Sequence, residues 1–155
     1  MCSLFTTSRL SIFAMLVATL TGCGGAAVES NPLPATVPVT GVLRLDGKPL
    51  SLATVLFVPS GATKGVECVG FTDDEGKFSL EQIRGGKGAP PGEYRVAVSR
   101  YLKNGEPVKL GPDEFPANVG AVESMPLKYS SPTESILVVT VPPSGGEIPV
   151  ELKSR

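Results

Sequence analysis

The sequence predicts an all-β fold: a two-sheet antiparallel β-sandwich of seven strands. Three observations predict it. Gly 18 and Pro 15 make up about a fifth of the 155 residues, which suits short strands joined by turns. Short apolar runs recur between Gly-, Pro- and Asp-bearing stretches, several with alternating polarity. The acidic turn Thr72-Asp73-Asp74-Glu75-Gly76 lies between two such runs, and the others can be placed around it.

Residues 1–22 stand apart from the fold as a signal peptide. Arg9 supplies a positive charge. Leu10 to Leu20 is an apolar run of eleven residues, with Ser11 and Thr19 its only polar members. A membrane-spanning helix takes about 20 residues, so the run is too short to cross a bilayer. Leu20-Thr21-Gly22-Cys23 follows directly and resembles the lipobox of bacterial lipoproteins. The resemblance implies cleavage between Gly22 and Cys23, diacylation of the Cys23 thiol with chains such as palmitate, and acylation of the new amine. A secretory signal with a chance cysteine is the plain alternative. Two or three acyl chains exceed the single chain that gives only reversible membrane binding. Gly24, not aspartate, follows the cysteine. By the sorting rule of well-studied Gram-negative bacteria, that implies the outer membrane or a periplasm-facing position in the cell envelope.

Residues 23–36 read as a flexible tether, with Pro32 and Pro34 extending its second half. At roughly 3 Å per residue it spans a few tens of Å. The domain then occupies residues 37–155. Val37 to Leu45 is the first strand, with Val39, Gly41, Leu43 and Leu45 on one face. Asp46-Gly47 is a hairpin signal. Ala53 to Val58 is a continuous apolar strand ended by Pro59. Val66–Thr72 and Lys77–Ile83 are expected to pair as a central hairpin. Its turn is closed by Asp73 or Asp74 on backbone N–H groups and by Gly76 at positive φ. Gly85 to Gly92 is a loop, and Gly92 leads into the strand Glu93–Leu102. There Tyr94, Val96 and Val98 face the core, and Arg95, Ala97 and Ser99 face out. Lys103 to Thr133 holds five prolines and reads as a long irregular segment, packed down by Leu127 and Tyr129. Ser135 to Val141 is apolar on both faces and is expected to be a central strand. Glu147 to Lys153 is the last strand, and Pro149 marks it as an edge.

Four motifs then fall in order: Gly41-x5-Gly47-Lys48-Pro49-Leu50, Ala53-x-Val55-x-Phe57-x-Pro59, Thr72-Asp73-x-x-Gly76-x-Phe78 and Pro91-Gly92-x-Tyr94-x-Val96. The series resembles the carboxypeptidase regulatory-like domains. It is most similar to those of short planctomycete-type lipoproteins, where Met125-Pro126-Leu127-Lys128-Tyr129 stands in the place of a Leu-Pro-x-Lys-Tyr segment. The resemblance covers about residues 37–153. It implies the transthyretin-like (prealbumin-like) Greek-key sandwich and a cell-surface setting, and no catalytic residues.

Composition narrows the functions. His is absent, which removes Ser-His-Asp and Cys-His catalysis and the commonest transition-metal ligand. The same absence disfavours the transthyretin-like purine-pathway hydrolases, whose sites resemble His–Arg clusters. Lys plus Arg is 14 and Asp plus Glu 15, so no net field favours nucleic acid. Gly47-Lys48 is not a phosphate loop: the spacing from Gly41 is one residue too long, and Pro49 replaces the hydroxyl that would hold magnesium. Asp73-Asp74-Glu75 lacks the alternating spacing of a calcium loop and is read as a turn, so no metal and no cofactor is expected. An intramolecular Lys–Asn isopeptide bond is rejected because neither Asn nor Asp occurs after Asn118.

With Cys2 removed and Cys23 acylated, Cys68 is the last thiol, read as a small buried hydrophobe, and no internal disulfide is expected. Tyr101, Phe115 and Tyr129 are the candidate ligand contacts, since a carbohydrate platform wants exposed aromatics and Trp is absent. The expected function is a lipid-anchored envelope module with a structural or interaction role and no catalysis. Its partners are the membrane through Cys23, and other envelope proteins or carbohydrate. The alternative is a ligand-binding lipoprotein, for carbohydrate or peptide, that uses the 103–133 loop.

Overall fold

The computed structural model describes residues 33–111 and 113–154. The signal segment, Gly22, Cys23 and most of the tether lie outside the described residues. β1 (Val39–Leu45) buries Val39, Gly41 and Leu43 and exposes Thr40 and Arg44, as the alternation predicts. Asp46 and Gly47 follow at φ 50° and 79°, the two positive values of a type I′ turn. They fold β2 (Lys48–Pro49) back onto Arg44 and Leu45. β3 (Thr54–Pro59) buries Val55 and Phe57, and β4 (Cys68–Phe71) pairs antiparallel with it.

The expected central hairpin divides. β5 (Lys77–Ser79) leaves β4 and pairs with Thr40–Val42 of β1. The chain then returns as β6 (Glu81–Gln82), which pairs with Cys68 and Val69. Burial of Phe78 explains the divergence. Its ring reaches 6.2 Å from the Phe57 ring, between centroids, in the shared core. Gly70, with no Cβ, leaves room for Phe78 and Leu80 to turn inward. The acidic turn therefore carries the chain from one sheet to the other.

β7 (Gly92–Ser99) buries Tyr94, Val96 and Val98. Ala97 is buried too, although alternation turns it from the core; its register partner is Leu56 of β3. The expected strand to Leu102 breaks at Arg100, and Tyr101–Lys103 forms β8. Among the described residues the 103–133 segment is irregular only in part, because short elements interrupt it. β9 (Glu106–Val108) pairs with β8, α1 (Pro116–Val119) is a single turn, β10 (Val122–Glu123) pairs with β8, and α2 (Leu127–Ser130) is a second turn. Met125 and Tyr129 pack into the core, whereas Leu127 is 67% exposed, contrary to expectation.

β11 (Leu137–Val141) and β12 (Gly146–Leu152) complete the chain. One sheet has the order β12-β1-β2, with β5 also on β1. The other has the order β11-β7-β3-β4-β6, and a small third sheet runs β10-β8-β9. All pairings are antiparallel except β1 with β12, which is parallel. The apolar segment read as a central strand is at an edge: among the described residues β11 pairs with β7 alone.

The two larger sheets share one core, with Val39, Leu43, Ile148 and Val150 from the first and Phe57, Val96, Val98 and Val141 from the second. The architecture is an all-β sandwich, with twelve strands among the described residues where seven were expected. The extra five, β2, β6, β8, β9 and β10, have two or three residues each. Such lengths are too short to show alternation.

Candidate functional site

Of the turn residues predicted from sequence, Asp46, Gly47, Asp73, Asp74 and Gly76 occupy turns, and Gly92 lies in a strand instead. Asp73, not Asp74, closes the acidic one: its Oδ1 accepts the N–H of Glu75 at 2.9 Å and of Lys77 at 2.8 Å. Glu75 pairs with Lys77 at 2.9 Å, and this partner holds the lysine above its ordinary value. Asp46 accepts the N–H of Ser154 at 3.1 Å, and hydrogen bonding from Ser154 holds its carboxyl below the ordinary value. Gly92 is the first residue of β7 and pairs with Val141. These carboxylates serve local backbone geometry.

The three aromatic candidates separate. Tyr129 is buried, so it is no ligand contact in this conformation. Its hydroxyl donates to the Lys153 carbonyl at 3.0 Å and accepts the Lys153 N–H at 3.1 Å. Tyr129 therefore packs the segment down, as expected, and only its second reading as an exposed aromatic contact fails. Phe115 is 67% exposed at the start of α1 and lines neither of the two large grooves. Tyr101 lines a groove of about 650 Å³ between the start of β3 and the β8–β9 hairpin. Leu52, Phe71, Val108, Lys109 and Leu110 complete its apolar wall and rim.

Phe71 is the residue that the sequence reading missed. It is 56% exposed and lines both this groove and a second one, also about 650 Å³. The second groove opens where β4 and β5 diverge and is lined by Thr40, Val42, Lys77, Ser79 and Glu147. Asp73 borders both. The Lys109 ammonium lies 5.6 Å from the Phe71 ring centroid, within cation–π range. Leu52, at φ 53°, holds a left-handed backbone that is uncommon for a side chain of its size. The signal for Phe71 was present in the alternation: Cys68 and Gly70 point in, so Phe71 must point out.

Cys68 is buried, its Sγ 3.6 Å from the Val66 carbonyl, and burial pushes the thiol up to about 11. Such a thiol is a poor nucleophile near neutral pH. Comparison with protein-family models, with curated proteins and with solved structures finds no match for this chain.

Proposed function

We propose that this chain is a lipid-anchored β-sandwich module of the bacterial cell envelope, with a structural or interaction role rather than a catalytic one. The observation that carries the reading is Leu20-Thr21-Gly22-Cys23, placed directly after an apolar run too short to span a bilayer. Acylated Cys23 anchors the chain, and the tether holds the sandwich off the membrane. The orders β5-β1-β12 and β11-β7-β3-β4 account for the seven principal strands, and they support a Greek-key, transthyretin-like arrangement of the carboxypeptidase regulatory-like kind. Membrane fractionation tests the anchoring. The wild-type chain is expected in the membrane fraction, and Cys23→Ser is expected to appear in the soluble fraction or as unprocessed precursor. A Cys23→Ser chain that fractionates and is processed like wild type would overturn the reading.

A second reading, a ligand-binding lipoprotein for carbohydrate or peptide, is favoured by the apolar groove. Val108, Lys109 and Leu110 bring part of the 103–133 segment to Tyr101 and Phe71 there. Oligosaccharide and peptide arrays probed with wild type and with Phe71→Ala test it. A hit lost in the variant supports ligand binding, and equal signals from both remove it.

A further inference from the structure

The edge strand β11 conflicts with its own sequence. Ser135 to Gly146 contains no charged residue, and Leu137–Val141 reads Leu-Val-Val-Thr-Val. Natural edge strands are normally blunted by charge, proline, a bulge or a covering segment. The other long edge obeys that rule: β12 carries exposed Pro149 between exposed Glu147 and Glu151. A two-fold copy set against β12 would bring those like charges together. β11 presents no charge to repel a copy of itself.

The hydrogen-bond register defines what β11 offers. The Ser60 N–H donates to the Glu93 carbonyl, so Glu93, Arg95 and Ala97 direct their backbone groups to β3. Tyr94 and Val96 therefore direct theirs to β11, where they meet Val139 and Leu137. The N–H and C=O of Val138 and Thr140 consequently point away from the sheet. On one side of this window, the Ile136 N–H is taken by the Lys128 carbonyl. On the other, Pro142 has no N–H. Those groups have no partner among the described residues, and exposed Ile136 and Val138, at 65% and 57%, stand beside them.

We propose that β11 pairs antiparallel with β11 of a second copy of this chain, about a two-fold axis at Val139. Val138 of one copy then faces Thr140 of the other, and each pair exchanges both backbone hydrogen bonds. The alternation is preserved: Leu137, Val139 and Val141 stay on the core side, and Val138 and Thr140 stay outside. The five-stranded sheet becomes continuous across the two copies. The apolar outer side chains, which a central strand would bury, gain a neighbour. This gives the interaction role proposed above a specific partner, although the pairing itself does not depend on the Cys23 anchor.

Sedimentation of the full chain in density-matched detergent, over a wide concentration range, tests the pairing. Wild type is expected to pass from monomer to dimer. Thr140→Pro removes one outward N–H and no bond to β7, and Val138→Lys places a charge at the edge. Both are expected to remain monomeric with the far-ultraviolet spectrum of wild type. Val138→Lys, whose side chain is in solvent, stands alone if Thr140→Pro does not fold. Mixing Val138→Cys and Thr140→Cys chains is expected to give a disulfide-linked pair under mild oxidation, because hydrogen-bonded partners lie within disulfide reach. A wild-type chain that stays monomeric, or a dimer that survives Val138→Lys, would overturn the inference. Cys23→Ser fractionation reports separately on the anchor.

Discussion

Gly76 lies against Leu43. The Leu43 N–H donates to the Gly76 carbonyl at 2.7 Å, and a Cβ built on Gly76 would stand 2.5 Å from the Leu43 carbonyl oxygen. Gly76 also holds φ 73°. Two independent reasons therefore exclude a side chain. Gly76→Val should cost about 2–4 kcal/mol, combining left-handed strain with a clash against backbone. Lys87→Ala, at an exposed position, should stay within about 0.5 kcal/mol. Urea midpoints of the two variants check this, and equal midpoints would refute it.

Asp73 and Asp74 are neighbours with different duties. Asp73 accepts two backbone N–H groups, and Asp74 is an exposed turn residue. Asp73→Ala should cost about 1 kcal/mol, since the turn is solvent-exposed and water replaces part of the loss. Asp74→Ala should be close to neutral. Chemical denaturation of both variants separates them.

Tyr129 and Phe115, both candidate ligand contacts by sequence, are expected to differ in their effect on stability. Tyr129→Phe removes both contacts to the Lys153 backbone and should destabilise the domain by about 1–2 kcal/mol. Phe115→Ala should leave stability within about 0.5 kcal/mol, because its ring lies in solvent. Thermal melts at one pH provide the comparison.

Alkaline pH should unfold the domain progressively. Burial, helped by the nearby Cys68 charge, pushes the Tyr94 hydroxyl from 10.0 to about 12. Burial alone pushes the Cys68 thiol from 9.0 to about 11. Both groups lose their protons more readily in the unfolded chain, so above pH 9 the folded state binds more protons than the unfolded state. Their contribution to stability is complete below pH 9 and is lost as pH rises towards 12. Tyr94→Phe should flatten the upper part of that loss, while also giving up the 2.7 Å bond to the Pro90 carbonyl. Stability measured against pH in wild type and variant checks both parts.

Cys68 in the folded chain should resist a thiol reagent at neutral pH and react on unfolding, because it is buried and its thiol is pushed up. Labelling with and without denaturant, read by mass, checks this. Rapid labelling of the folded chain would contradict it.

Local chemistry was legible in the sequence wherever one residue type has one physical use. Asp46-Gly47 makes its turn through two positive φ angles. Val39, Gly41 and Leu43 alternate into the core, as do Tyr94, Val96 and Val98, because side chains on a strand change face at each residue. Gly76 was identifiable by its position after three acidic residues. The lipobox reading rests on sequence alone and lies outside the described residues.

Tertiary structure decided which strands meet and which groups they leave open. Hydrophobic pattern specifies the face a side chain takes, not the neighbour its strand finds. The run Lys77–Ile83 therefore could not reveal that Phe78 would join Phe57 while Glu81 returned to β4. The same limit hid the groove at Phe71, which exists because β4 and β5 part and the β8–β9 hairpin stands beside them. It also hid the edge position of β11. An apolar strand has the same sequence whether its second neighbour belongs to its own chain or to another, because backbone hydrogen bonds carry no side-chain signature.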